Sequence, residues 1–226
     1  MRRRGGRRIR VLLAVPAVVV VVLALAQLFG PSIAASTISE RVGRYGHVQS
    51  VHVSAWPAIR LLWGSADSVR LSASSLVLTP VQSAALLAEA DGTASVEATV
   101  AALREGPLRL TDVRLRKRGP NMVGEGLIRT GAIAAALPPG VHIELVASAG
   151  GRVHVRVGGG PFGNGSIAAV ARSEHGTLLA EVLGGGLAGA RMTLFQDPRI
   201  DVVGVAAALA STHPLSYRVR MSARLR

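Results

Sequence analysis

The 226-residue chain contains no cysteine, only 3% aromatic residues, and a single lysine beside 25 arginines. Without cysteine it can form no disulfide bond, no cysteine-ligated zinc or iron–sulfur site and no thiol nucleophile. With so few aromatic residues, any core must be built from Val, Leu, Ala and Ile, which are small. Charged residues make up 17% of the chain, below the usual quarter, yet the net charge is +13. An excess of arginine favours anionic partners.

The chain also lacks the common catalytic and metal-binding signatures. It has no GxSxG nucleophile elbow and no SxxK motif, and its histidines form no HxH, HExxH or i,i+4 pair. We therefore interpret the histidines as surface or loop residues, and we expect no catalytic residue, no metal and no cofactor. The histidines are His47, His52, His142, His154, His175 and His213.

The first thirty residues predict that the rest of the chain lies outside the cytoplasm. Six of the first ten residues are arginine, and residues 11–29 carry no charge. About twenty apolar helical residues span a bilayer core, and flanking arginines stay on the cytoplasmic side. We predict a basic cytoplasmic tail (1–10), a single transmembrane anchor (11–29) and an extracytoplasmic domain (30–226). The alternative is a cleaved signal peptide, since Ala24-Leu25-Ala26 resembles a cleavage site, but the apolar run is longer than is usual there.

The remainder predicts an α+β fold. Residues 32–45 have helical periodicity, and this helix either covers a sheet or lies on the membrane. Thr79, Pro80 and Gln82 have the spacing of an N-cap and a partial capping box, so a second helix is expected to end near residue 90. A brief helical turn is expected at 133–137. Alternating strand patterns with turn signals predict one large, curved, mostly antiparallel sheet with a few covering helices. The predicted strands are 50–55, 67–74, 95–103, 108–116, 122–129, 141–147, 152–157, 165–172, 177–182, 200–205 and 216–224.

Several predicted strands have one apolar and one basic side. In residues 216–226 the arginines alternate with Tyr217, Val219 and Met221, and residues 152–157 repeat the pattern. The basic side is either an ordinary solvated face or a surface that meets an anionic membrane, where each cation adds about 1 kcal/mol. We exclude nucleic acid as a partner, because the domain is exported and no aromatic residues interleave with the arginines. The basic residues concerned are Arg114, Arg116, Lys117, Arg118, Arg152, Arg156, Arg218, Arg220, Arg224 and Arg226.

Both tryptophans lie in a short break between two predicted strands, in the sequence WPAIRLLWG. Proline cannot donate to a strand ladder, and the following residues can form about one and a half helical turns. This apolar helix either plugs one end of the sheet or forms the lip of an opening for acyl chains, since Trp suits a boundary between apolar and wet surroundings. We predict an apolar lip formed by Trp56, Pro57, Ile59, Leu62 and Trp63, with Arg60 as the headgroup residue.

The order of these features resembles the actinobacterial LmeA-like phospholipid-binding proteins, a family of anchored or exported envelope proteins. The matching segments are IAASTISERVGRY after the apolar N-terminus, SVHVSAWPAIRLLWGSADSVRLSAS, LPPGVHIELVASAGGRVHVRV and FQDPRIDVVGVAA. The chain departs from the family at residues 79–100, where the helix is inserted or enlarged. The resemblance implies lipid binding in the cell envelope, in support of lipid or glycolipid assembly or transfer. It also implies a curved sheet around an apolar groove, similar to tubular lipid-binding folds.

We therefore expect a membrane-anchored, extracytoplasmic phospholipid-binding protein without catalysis, whose partners are the membrane and a phospholipid or glycolipid. One alternative is a structural envelope protein that docks a protein partner through its sheet without lipid cargo. Another is a hydrolase whose site is assembled from distant residues. An open apolar cavity, a filled core and a polar cleft with a nucleophile beside a histidine are the features that distinguish the three.

Overall fold

The computed structural model describes residues 32, 34–56, 65–105, 108–135, 137, 139–159 and 165–226. The predicted tail (1–10) and anchor (11–29) lie outside these residues. Within the described part, no helix is both long and apolar enough to cross a membrane. The chain is mostly β, with helices at residues 34–43 (α1), Pro80–Glu89 (α2) and Thr130–Ala135 (α3). The strands are β1 Gly46–Ser54, β2 Ala66–Leu78, β3 Thr93–Glu105, β4 Leu108–Arg118, β5 Asn121–Arg129, β6 Val141–Ala149, β7 Arg152–Gly159, β8 Ser166–Glu174, β9 Thr177–Val182, β10 Arg191–Phe195, β11 Ile200–Thr212 and β12 Leu215–Leu225.

Every strand predicted from alternation overlaps a strand of the structure, and most are longer than predicted. β10 was not predicted, although Arg191, Met192, Thr193 and Leu194 alternate between polar and apolar residues. It is only five residues long, and in the structure these four residues are all exposed. β11 continues seven positions past residue 205, to Thr212, through an alanine-rich segment that has weak strand propensity. Register with β12 rather than local preference extends this strand.

The strands form two sheets where one was predicted. The first has seven strands in the order β1-β2-β3-β4-β5-β12-β11, and the second has five in the order β10-β9-β8-β7-β6. Pairing is antiparallel throughout both sheets except between β2 and β3, which are parallel and joined by the crossover helix α2. The second sheet is therefore built from the chain between β5 and β11. Alternation identifies strands but not their partners, so it could not reveal this division.

The helices cover part of the first sheet. The backbone N–H of Thr79 donates to Gln82 Oε1 (2.8 Å) and the N–H of Gln82 donates to Thr79 Oγ1 (3.3 Å), so the predicted capping box at the start of α2 is confirmed. Val42 of α1 is buried against a cluster formed by Ala73, Leu76, Leu78 and Val100. α1 therefore packs on the apolar side of β2 and β3, as the covering-helix alternative predicted.

The two sheets meet where hairpin tips of the second contact the edge strand of the first. Val202 N–H donates to Gly176 O (2.8 Å) and Val205 N–H donates to Gly151 O (3.2 Å). Gly176 and Gly151 belong to the β8–β9 and β6–β7 turns, which are two strand spacings apart, or about 9.6 Å. Three residues of β11 span about 10 Å. Because these two distances agree, the strands of the second sheet meet β11 end-on. The carbonyl groups at their hairpin tips accept hydrogen bonds from the outer N–H groups of β11, which is an edge strand.

Candidate functional site

Trp56 is the one residue of the predicted lip that the structure describes. It follows the end of β1, its side chain is 75% exposed, and its backbone N–H donates to Asp67 Oδ2 at 2.6 Å. The exposed indole therefore stands at the end of the β1–β2 pair, beside the register position of Ser54 and Ser68. The remaining predicted residues lie outside the described residues: Pro57, Ile59, Leu62 and Trp63 of the lip, and the headgroup candidate Arg60.

One apolar row crosses all seven strands of the first sheet, and we call it the apolar trough. Its members pair in register from strand to strand, so their side chains lie on the same side of the sheet. Every member is half-buried among the described residues, including the members on the central strands. From β1 to β11 the trough consists of Val51, Leu71, Ala98, Leu115, Gly124, Met221 and Val205.

The rows on either side of the trough are buried over part of their length, and Val113, Val219, Val69 and Val96 in them are half-buried like the trough. Ala73 and Val100 are buried beneath α1 on one side, and Met122 and Ala223 belong to a second buried cluster on the other. The trough is therefore an apolar strip that runs across the strands between two partly buried rows. The described residues cover parts of these flanking rows more completely than the trough itself.

Small residues form the floor of the trough. Ala98 and Gly124 stand on either side of Leu115 in the register. Among the described residues, a Cβ placed on Gly124 would have only Leu115 Cδ1 within 4 Å, at 3.9 Å, which is an ordinary contact. Space therefore remains above this glycine. Hydrocarbon is the chemical group that such a surface accepts, because its lining offers no hydrogen-bonding side chain.

The opposite side of the same sheet is polar and carries cross-strand ion pairs. Glu97 on β3 lies between Arg70 (3.6 Å) and Arg116 (3.8 Å), and Glu125 on β5 lies 3.5 Å from Arg220. All five side chains are substantially exposed, so each pair contributes roughly 0–1 kcal/mol. Arg116 and Arg220 are thus partly explained by pairing on a solvated face, the first alternative considered for the basic strands.

Lys117 corrects one sequence-based assignment. It was grouped with the basic residues of its strand, but it points to the apolar side and is only 2% exposed. Its Nζ donates to the backbone carbonyls of Asp91 and Thr93, which close the turn after α2. Burial lowers the pKa of Lys117, and the nearby charge of Asp91 partly opposes that shift. The only lysine of the chain therefore holds a turn against the sheet instead of adding to the basic surface.

The histidines occupy scattered positions. His154 is half-buried and the other five are exposed, in agreement with the surface assignment. Within the described part of the chain, no three His, Asp or Glu side chains come close enough together to hold a metal ion. We derive no metal-dependent chemistry from these residues.

The trough itself was not identified from the sequence. Alternation predicts which side of each strand is apolar, but the trough exists only once Leu71 faces Ala98 and Gly124 faces Met221. Glycine and alanine within strands were the available signal, because they often mark a surface that another group approaches closely.

Comparison of the chain with protein-family models, with curated proteins and with solved structures finds no match in any of the three. The resemblance to LmeA-like proteins therefore stays a prediction.

Proposed function

We propose that the protein is a membrane-anchored, extracytoplasmic phospholipid-binding protein of the cell envelope that supports lipid or glycolipid assembly or transfer and has no catalytic activity of its own. The predicted anchor (11–29) holds the chain in the membrane with its N-terminus in the cytoplasm. The β domain stands on the other side, and acyl chains lie in the apolar trough. A curved, tube-like form of the first sheet would enclose them, as the family resemblance implies.

The observation that supports the proposal is the half-open apolar trough. A sheet side that only had to stabilise the fold would be covered along the trough as well as beside it, because apolar surface left in water costs about 25 cal/mol per Å². Here the covered parts lie beside the trough, under α1 and in the cluster around Met122. An acyl chain along the trough would complete the burial.

The energetics favour loading from a membrane over capture from water. Each CH₂ group that leaves water contributes about 0.8 kcal/mol, but a chain that moves from a bilayer into the trough was already in hydrocarbon and gains little. Occupancy then depends on holding the trough close to the bilayer, which raises the effective concentration of lipid, and on contacts to the headgroup. An anchored lipid-binding protein meets the first condition.

Photo-crosslinking tests the proposal directly. The full-length chain is reconstituted into liposomes that contain a phospholipid with a photoactivatable group near the end of its acyl chain, and crosslinked peptides are identified by mass spectrometry. Lipid in the trough labels Leu71, Leu115 and Met221, whereas lipid around the anchor labels residues 11–29. Labelling confined to the anchor region would contradict the proposal.

A matched pair of variants adds specificity to this experiment. Ala98→Phe fills the floor of the trough, and we expect it to reduce labelling of Leu115 and Met221 by at least about fivefold, equivalent to roughly 1 kcal/mol. Thr99→Phe introduces the same ring at the next position of β3, where the register with Arg114 places it on the polar side. The control should leave labelling unchanged, and circular dichroism should show that both variants fold.

The alternative, a structural protein that docks a partner through its sheet, has one feature in its favour. β1 is an edge strand of the first sheet, and His47, Gln49 and His52 on it are exposed. Its register with β2 is interrupted on both sides of Val48, and such irregularities oppose edge-to-edge pairing. The trough therefore supports lipid binding more strongly than the edge supports docking. A docked partner would leave the trough unlabelled in the crosslinking experiment.

A further inference from the structure

A cleft of about 300 Å³ opens where α1 ends, and it is lined by Arg41, Arg44, Tyr45 and Leu86. The two arginines are exposed and Tyr45 is half-buried. The backbone of Tyr45 is held on both sides, since its N–H donates to Val42 O (2.9 Å) and its O accepts from Val77 N–H (2.7 Å). The aromatic wall of the cleft is therefore fixed to β2, while Leu86 supplies a second wall from α2.

The lining suits an anionic ligand such as a phosphate group. Two guanidinium groups offer planar sets of N–H donors that suit phosphate oxygens, and the Tyr45 hydroxyl can add another donor. Among the described residues that line the cleft there is no carboxylate. Arg41 and Arg44 are three positions apart on consecutive chain, so a single turn projects both toward the same region.

The cleft and the apolar trough border the same buried cluster of the first sheet. Tyr45 and Leu86 pack on the same buried cluster as Leu71, which is a member of the trough. The acyl chains of a lipid with its phosphate in the cleft would therefore have to pass beside α1 to reach the trough. The predicted anchor ends at residue 29. The five residues that follow could span at most about 17 Å if they were fully extended, and the helical residues from 34 to Arg41 add about 12 Å. The cleft thus lies within about 30 Å of the predicted membrane exit.

Stabilisation of α1 is the competing explanation for the two arginines. Cations near a helix C-terminus interact favourably with its carbonyl end, and Glu40 lies one turn before Arg44, where an i,i+4 pair also contributes. Either effect would place arginines here without any ligand. Neither effect, however, would make the protein discriminate between lipids with and without phosphate, so discrimination is the readout that separates the two explanations.

We propose that the cleft formed by Arg41, Arg44, Tyr45 and Leu86 binds the headgroup phosphate of the lipid whose acyl chains occupy the apolar trough. The inference rests on the proposed function and adds a binding site for the lipid headgroup. Since acyl chains gain little on leaving a bilayer for the trough, the charged contacts in the cleft supply the selectivity. The site therefore takes phospholipids in preference to neutral lipids of the same chain length.

The experiment compares two photoactivatable probes with identical acyl chains, a diacyl phosphatidic acid and the corresponding diacylglycerol, in zwitterionic liposomes that carry the full-length chain. We expect the phosphorylated probe to label the trough about tenfold more than the neutral probe, because charge-assisted hydrogen bonds are worth about 1.5–3 kcal/mol. The double variant Arg41→Gln/Arg44→Gln should reduce this ratio to near one without lowering labelling by diacylglycerol.

Arg118→Gln/Arg224→Gln is the matched control, because it removes the same charge from the polar side at the opposite end of the sheet, where both residues pair with Asn121. The control should keep the ratio of the unmodified chain. Arg41→Lys/Arg44→Lys keeps the charge at the helix end, and we expect it to retain α1 but lose most of the preference, since ammonium groups lack the planar fork of donors.

The outcomes separate this inference from the proposed function. Equal labelling of the trough by both probes would overturn the cleft assignment and leave lipid binding intact. Absence of trough labelling by either probe would instead overturn the proposed function. A ratio that falls equally in the Gln variant and in the control would show that net charge attracts the phosphorylated probe, which also overturns the cleft. Protection of the cleft by inorganic phosphate alone, without any preference of the trough for the phosphorylated probe, would assign the cleft to free phosphate and would overturn the lipid assignment.

Discussion

The contact between the two sheets depends on Gly176, and replacing it tests how closely they dock. Gly176 has φ +78°, and an added Cβ would lie 2.1 Å from Asp201 Oδ1 and 3.3 Å from Asp201 Cα. The carboxylate cannot move aside freely, because Arg226 donates to both of its oxygens. In the variant Gly176→Ala, either this ion pair separates or the β8–β9 tip withdraws from β11.

The expected cost has two parts. An alanine held in the left-handed region costs about 1–2 kcal/mol. Withdrawal of the tip also breaks the hydrogen bond from Val202 N–H to Gly176 O, and the one from Ser173 Oγ to Val202 O, each of which contributes about 1 kcal/mol net. We therefore expect Gly176→Ala to lower the free energy of unfolding by about 3–4 kcal/mol.

Gly189→Ala is the matched control. Gly189 has φ +84°, but no heavy atom in the described part of the chain lies within 4 Å of an added Cβ. It should cost only the conformational part, about 1–2 kcal/mol. Urea unfolding of the full-length chain in a non-ionic detergent, followed by far-ultraviolet circular dichroism, gives both values. Hydrogen exchange at the Val202 amide should accelerate in the first variant and not in the second. Costs within about 0.5 kcal/mol of each other would refute the reasoning about docking.

Three further predictions concern named polar contacts. Thr79→Ala removes the N-cap of α2 and should destabilise the protein by about 1 kcal/mol, whereas Thr79→Ser should not; thermal unfolding of both variants tests this. Hydrogen bonds from Arg226 hold the pKa of Asp201 below its ordinary value. The stabilisation is therefore complete above the unfolded-state pKa, about 3.9, and is lost as the pH falls through the lower folded value. Asp201→Asn should flatten this part of the acid unfolding profile, and an unchanged profile would contradict the assignment. Because burial lowers the pKa of Lys117, the unfolded chain binds that proton more tightly. Stability should then rise as the pH increases from the folded pKa toward about 10.4, and melts of Lys117→Met should lose this rise.

Most of the secondary structure can be predicted from the sequence, because strands and helices repeat their apolar residues every two or every 3.6 positions and this repeat is a local property. The capping box at Thr79 and Gln82 and the alternation in β12 illustrate such local signals. Pairing is not local: nothing in β5 specifies that its neighbour is β12 and not β6. For the same reason the parallel contact of β2 with β3 and the separation into two sheets could not be predicted from pattern alone.

The candidate sites follow the same division. Lys117 alternates with Arg116 and Arg118 and shares the side of Val113 and Leu115, so the signal for its inward direction is present in the sequence. The spacing of Arg41 and Arg44 is also readable along the chain. Their neighbour Leu86 comes from a helix more than forty positions later, and only the folded chain brings it to the cleft. The predicted lip remains a prediction, with the exposed Trp56 as its described member.

The strand order has a consequence for how the molecule is assembled. β12 fits between β5 and β11, and Thr130 Oγ1 reaches Leu215 O across 85 positions of chain. Because a polypeptide emerges from its N-terminus first, β1 to β5 come out with one interior border unpaired, and the entire second sheet follows before the closing hairpin arrives. During that interval the nascent chain exposes an unpaired strand edge and an apolar surface. The hairpin of β11 and β12 closes both. A chain that ends before this hairpin would therefore be prone to aggregation instead of forming a smaller folded domain.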